Sequence, residues 1–137
     1  MKLDTGASRS LDVLAREKRN GTGIEVAPGE RYLFRSEGEW TDLWIRCGPD
    51  GYATRDAPLL SRWFLALFEG RRRLSAENWF VLAGVVGDDD AAAFRIGGRL
   101  DDWGPTVAGE LLCFANDVPS AYFNNRGSIT LTVRRIA

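Results

Sequence analysis

From Ser128 to Val133 the chain alternates without a break, Ile129, Leu131 and Val133 on one side and Thr130 and Thr132 on the other. A period of two puts each set on its own face of a strand and suits no helix, whose faces repeat every 3.6 residues. A strand with one apolar face is stable only against a second layer, so this segment demands a sheet packed on something. The pattern recurs. Ile24 and Val26 flank Glu25, and Leu43, Ile45 and Cys47 alternate with Trp44 and Arg46. Leu11 to Ala15, Arg31 to Arg35, Trp79 to Val86 and Ala93 to Ile96 read as further strands, rich in β-branched and aromatic residues. Glu110 to Ala115 is a continuous apolar run that suits a central strand.

Turn formers stand between these runs: Asn20-Gly21, Pro28-Gly29, Gly48-Pro49-Asp50-Gly51, Gly87-Asp88-Asp89-Asp90 and Gly97-Gly98. Proline presets φ and glycine reaches positive φ, which tight turns need. Asp88 to Asp90 is expected at a solvated hairpin tip, and Arg71-Arg72-Arg73 in a solvated basic turn. Pro58 to Asn78 is ambiguous, since Leu59, Leu60, Trp63, Phe64 and Leu67 fit helical spacing and also a twisted strand. We assign a short helix there. The expectation is an all-β, jelly-roll-like β-sandwich of about eight short antiparallel strands with one short helix in an insertion.

A chain of 137 residues is the size of one domain, read here as a flexible lead-in over residues 1–10 and a single sandwich over 11–137. Seven Phe and five Trp supply large flat surfaces for a core without disulfides, and Cys47 and Cys113 are expected as buried free thiols. Eighteen basic against nineteen acidic residues leave a formal charge of -1, so no overall field draws the chain to nucleic acid or an anionic membrane. No run approaches the ~20 apolar residues of a membrane span, and no signal-peptide pattern opens the chain, which points to the cytoplasm or to export by another route. Histidine is absent. That disfavours Ser-His-Asp and Cys-His nucleophiles and His-ligated zinc, and we read the chain as a non-enzyme.

One loop is rich in oxygen donors: Asn116-Asp117-Val118-Pro119-Ser120-Ala121-Tyr122-Phe123-Asn124-Asn125, between two strong strands. Calcium takes six to eight hard oxygens from carboxylates, carboxamides and carbonyls. Asp117 offers a carboxylate, Asn124 and Asn125 offer amide oxygens, and a bend at Pro119 can turn the Ala121 carbonyl inward. One carboxylate leaves such a site net positive and predicts Kd on the order of 10⁻⁴ to 10⁻³ M, unless Asp42 or Asp56 approaches. Open positions on such an ion can accept two sugar hydroxyls. The same residues also suit plain turns, because Asn tolerates left-handed geometry and Asx side chains cap their own backbone.

At this loop the sequence resembles the bacterial calcium-dependent galactophilic lectins of the PA-I family, which carry a similar Asn-Asp-Val-Pro, Tyr, Asn-Asn, Gly-Ser string. Thr22-Gly23-Ile24, Pro28-Gly29, Gly38, Trp40 and Gly48-Pro49-Asp50-Gly51 follow the family order, so roughly residues 11–52 and 79–136 are covered. The resemblance implies Ca²⁺ held by the Asp117, Asn124 and Asn125 side chains and the Ala121 carbonyl, with Leu43 as the counterpart of a further carbonyl ligand. It implies a galactoside-type glycan bound at Asp117, Val118 and Asn124, and a homo-oligomer. The family's His and Gln at the sugar's primary hydroxyl have no counterpart; Arg55 and Pro58 stand nearest, and Arg55 is the candidate to contact the sugar. Residues 53–78 hold an insertion that gives the pocket a different wall.

Trp44 and Trp103, nearest to turns, are the candidates for an exposed stacking platform. Two other functions compete with a lectin-like role. The fold could serve as an interaction or assembly module through Trp63, Phe64 and Phe68 of the insertion, or as a glycoside hydrolase, although no two acids are placed convincingly for the required ~5 to 9 Å separation.

Overall fold

The computed structural model describes all 137 residues, Met1 to Ala137. Nine strands and one α-helix follow in the order β1 (Ser8–Leu14), β2 (Asn20–Val26), β3 (Tyr32–Asp42), β4 (Ile45–Cys47), α1 (Leu59–Phe68), β5 (Leu82–Val86), β6 (Phe94–Arg95), β7 (Arg99–Trp103), β8 (Gly109–Ala115) and β9 (Asn125–Arg135). They form two antiparallel sheets, a β-sandwich with one short helix. The first sheet has the order β1-β9-β3-β4, with β7 joining along β3, and the second has the order β2-β8-β5-β6.

The register explains the sequence patterns. β3 and β9 pair along their whole length, from Tyr32 opposite Arg135 to Asp42 opposite Asn125. Ile129, Leu131 and Val133 are fully buried and share one core with Ile24, Val26, Leu111 and Cys113 of the facing sheet. In β8 the odd positions enter that core, while Phe114 faces the other way and packs with Ala83 and Val85 under Leu74. Both faces of β8 are therefore covered, which is why its sequence is a continuous apolar run. Both cysteines are free, Cys113 buried and Cys47 half-buried. No helix is long and apolar enough to cross a membrane.

Several expectations change. The first residues are tied down rather than loose: β1 starts at Ser8, Leu3 is buried, the terminal amine donates to the Gly23 carbonyl at 3.0 Å, and the Gly6 N–H donates to the Arg135 carbonyl. Asn20 and Gly21 open β2 instead of forming the turn. The Asn20 carboxamide accepts from the Leu14 N–H and donates to the Leu14 and Cys113 carbonyls, taking the place of a backbone rung. β7, which carries few apolar residues, was not legible as a strand; it is held by pairing with β3.

Arg73 is not solvated. Its side chain is 5% exposed, pairs through two nitrogens with Asp90 at 2.9 Å, and lies 3.3 Å from the Phe114 ring centre. Trp103 is no platform either, since it stacks on Phe94 at 4.3 Å and meets Phe34 edge-on.

The inserted segment is clasped to the sandwich at its base. The Trp79 indole N–H donates to Thr54 Oγ1, and Thr54 in turn bonds Glu69. Gly51 sits against the Trp79 backbone at φ +67, where a Cβ would stand 2.0 Å from the Trp79 carbonyl oxygen, so only glycine fits. α1 turns Ser61 and Leu65 inward and leaves Leu60, Trp63, Phe64 and Leu67 exposed.

Candidate functional site

The loop between β8 and β9 is shaped by two residues whose hydrogen bonding is complete. The Asn116 carboxamide accepts from the Leu74 N–H at 2.9 Å and donates to the Leu74 and Asn78 carbonyls, joining the loop to the insertion. The Tyr122 hydroxyl donates to the Ala115 carbonyl and accepts from Arg73 at 3.1 Å, fixing the single helical turn Tyr122–Asn124. Asn116 is thus a clasp and not a ligand.

The residues that follow behave differently. Asp117 is 2% exposed and Asn125 fully buried. Asp117 accepts from the Val118 N–H through Oδ1 at 2.7 Å, and the Asn125 amide donates to the Ala15 carbonyl at 3.1 Å. Their remaining oxygens, Asp117 Oδ2 and Asn125 Oδ1, are buried with no hydrogen-bond partner, and so is Asn124 Oδ1. A buried polar atom left unpaired costs about 1 to 3 kcal/mol, and more when charged. Three such acceptors in one short loop, with donors on none of them, form a set that a cation would satisfy.

Asp42 completes the set. It is the last residue of β3, and its parity along the strand is that of Tyr32, Phe34 and Trp40, all buried. The Tyr52 hydroxyl donates to it at 2.6 Å. Burial raises its carboxyl above the ordinary range, with Tyr52 opposing. Burial also pushes the Asp117 carboxyl up to about 7, the Asp42 charge adds to the rise, and the Val118 N–H and the Asn125 amide pull it back. No cluster of three or more His, Cys, Asp or Glu side chains is placed to hold a metal. The donors here are two carboxylates and two carboxamides, hard oxygen ligands that suit calcium rather than zinc or copper.

Asp42, Asp117 and Asn124 open into a cavity of about 510 Å³. Leu43, Val118 and Ala121 line it too, so five of the expected site positions share one hollow, whereas Asn125 is fully buried and is not part of its lining. Leu43 sits at φ 57, and its carbonyl accepts from Arg126 at 3.0 Å, which occupies one of its two lone pairs. Arg55 is exposed on the turn Thr54–Asp56 and does not line the cavity, and Asp56 is exposed beside it. Trp44 does line it, at 62% exposure.

The different wall expected from the insertion is built by α1, whose Leu60, Trp63 and Phe64 line the same cavity as Asp42, Asp117 and Asn124. The helical spacing of those α1 residues was visible. What it could not give is the side on which the helix lies.

No protein-family profile and no curated protein matches the sequence. Among solved structures, one described as "EclA N-terminal domain; PllA-like lectin" superposes with a TM-score of 0.66 at 19% identity, covering 92% of this chain and 94% of that one. At that identity the likeness speaks for architecture alone: the two chains share one β-sandwich fold.

Proposed function

We propose that this protein binds carbohydrate through a calcium ion held at the β8–β9 loop, with a galactose-type sugar as ligand. The observation that carries the reading is the trio of buried, unpartnered oxygens on Asp117, Asn124 and Asn125. Asp42 and the Ala121 and Leu43 carbonyls would complete the shell. Two carboxylates match a divalent charge, which predicts tighter binding than Asp117 alone would give. When bound, calcium would offer open coordination positions to a pair of vicinal sugar hydroxyls.

The chain's own part is orientation. Asp117 and Asn124 oxygens can also accept hydroxyl hydrogens, and Val118 offers an apolar contact to the ring. The resemblance of this loop to calcium-dependent galactophilic lectins and the shared fold of a PllA-like lectin domain both support the reading. The role needs no catalysis.

The test is thermal unfolding in a chelator, in calcium, and in calcium with methyl galactoside. Stepwise rises are expected, by mass action, and Asp117→Ala should abolish both. A melting curve indifferent to millimolar calcium would remove the basis of the reading. The exposed stripe Leu60, Trp63, Phe64 and Leu67 favours a second possibility, an assembly module without sugar binding. That reading predicts oligomers in light scattering that persist in chelator, with no response to galactoside.

A further inference from the structure

The polar floor of the cavity is only part of it. Twelve of the seventeen residues around its 510 Å³ are hydrophobic, a volume within the range of pockets that enclose a drug-sized ligand. A sugar head on Asp117 and Asn124 uses the floor and leaves the wall in water. On that wall Leu60 is 87% exposed, Trp63 66% and Phe64 54%, a cost that a free surface of this size has no reason to carry. The aromatic members are already ordered: Trp63 meets Phe64 edge-on at 6.1 Å, and Phe64 packs on Phe68 at 4.9 Å.

A second observation points to a ligand from the same helix. Ser61 is 8% exposed and lines the cavity, yet its Oγ has no hydrogen-bond partner. A serine inside a helix ordinarily returns its proton to the carbonyl four residues back. Here the Ala57 carbonyl takes one bond from Arg62 Nε at 2.9 Å and none from Ser61. A hydroxyl is therefore held at the cavity wall with its bonding capacity unspent.

We propose that α1 forms a subsite for an apolar aglycone, so that the ligand is an amphiphilic glycoside: its sugar on the Asp117 floor, its alkyl chain along Leu60, Trp63 and Phe64, and one of its oxygens bonded to Ser61 Oγ. The inference rests on the sugar reading above. Continuity selects the occupant, because carboxylates and apolar wall belong to one concave hollow, which a single molecule with both chemistries fills.

Calorimetry with methyl and hexyl β-galactoside in millimolar calcium tests it. Burying two or three methylenes makes the hexyl glycoside about tenfold tighter or more. Trp63→Ala should bring the two within about twofold while the calcium-induced thermal shift stays intact. Ser61→Ala should weaken both glycosides severalfold without lowering the melting temperature in chelator, since it removes an unpaired hydroxyl. Equal affinities in the wild type would overturn the aglycone subsite and leave the sugar reading standing. A normal calcium shift with neither glycoside bound would overturn both. A hexyl advantage that survives Trp63→Ala would overturn the placement on α1. A dimer that Trp63→Ala dissolves, with no hexyl advantage, would assign the wall to a second copy of the chain instead.

Discussion

Replacing Asp117 by Asn should make the metal-free protein more stable while destroying its response to calcium. The carboxyl stands near 7 in the fold against an ordinary 3.8, because it is buried and sits near Asp42. Between those two values the folded state binds more protons than the unfolded chain, so stability falls as pH rises. The loss is complete above about pH 8 and amounts to roughly 4 kcal/mol, taking ~1.4 kcal/mol for each factor of ten. Asn keeps the oxygen that accepts from the Val118 N–H and puts a donor where Oδ2 stood, in a loop where two further oxygens lack one.

For a chain of this length, about 3 °C accompanies each kcal/mol, so Asp117→Asn in chelator at pH 8 should melt on the order of 10 °C above the wild type. The gap should close toward pH 4. Calcium at about 100 times its Kd would restore ~2.7 kcal/mol to the wild type and nothing to the variant. Differential scanning calorimetry at pH 4, 6 and 8, with and without calcium, reads all of this. Coincident wild-type and variant curves at pH 8 in chelator would refute the buried, uncompensated carboxylate, and a calcium shift retained by the variant would refute its role as ligand.

Further outcomes follow from single residues. Arg73→Met leaves the partly exposed Asp90 without its partner and removes the guanidinium from Phe114 and Tyr122; denaturant unfolding should show a loss of about 1 to 3 kcal/mol. Trp103→Ala should cost about 2 to 3 kcal/mol because its half-buried ring packs on Phe94, Phe34 and Tyr32, whereas Trp44→Ala, at an exposed site, should stay within about 0.5 kcal/mol. Arg55→Ala should leave calcium and galactoside titrations unchanged, since Arg55 lies outside the cavity. A drop in galactoside affinity for that variant would mean that the turn Thr54–Asp56 closes onto bound sugar.

What the chain's sequence determined is the layer plan and the loop that carries the oxygens. Period-two alternation at Ile129, Leu131 and Val133 forces one face inward, and Asp117, Asn124 and Asn125 stand in a short segment whose donors are visible as residue types. Pairing decided the rest. Asp42 joins the site because β3 and β9 run in full register and bring residue 42 opposite residue 125, a long-range match that no local pattern encodes.

Arg71 to Arg73 read as a surface run, yet the Arg73 side chain is covered because β8 leaves Phe114 on its outer face and Asp90 arrives from the β5–β6 connection to neutralise it. Asn116 and Asn125 are the same residue type in the same loop. One is saturated by Leu74 and Asn78, the other keeps an open oxygen, and only packing distinguishes them. The helix shows the division most plainly. Its apolar stripe is written at Leu60, Trp63, Phe64 and Leu67, but hydrophobicity has no direction, and the tertiary clasp of Trp79, Thr54 and Glu69 holds the segment so that Leu60, Trp63 and Phe64 line a cavity rather than the core.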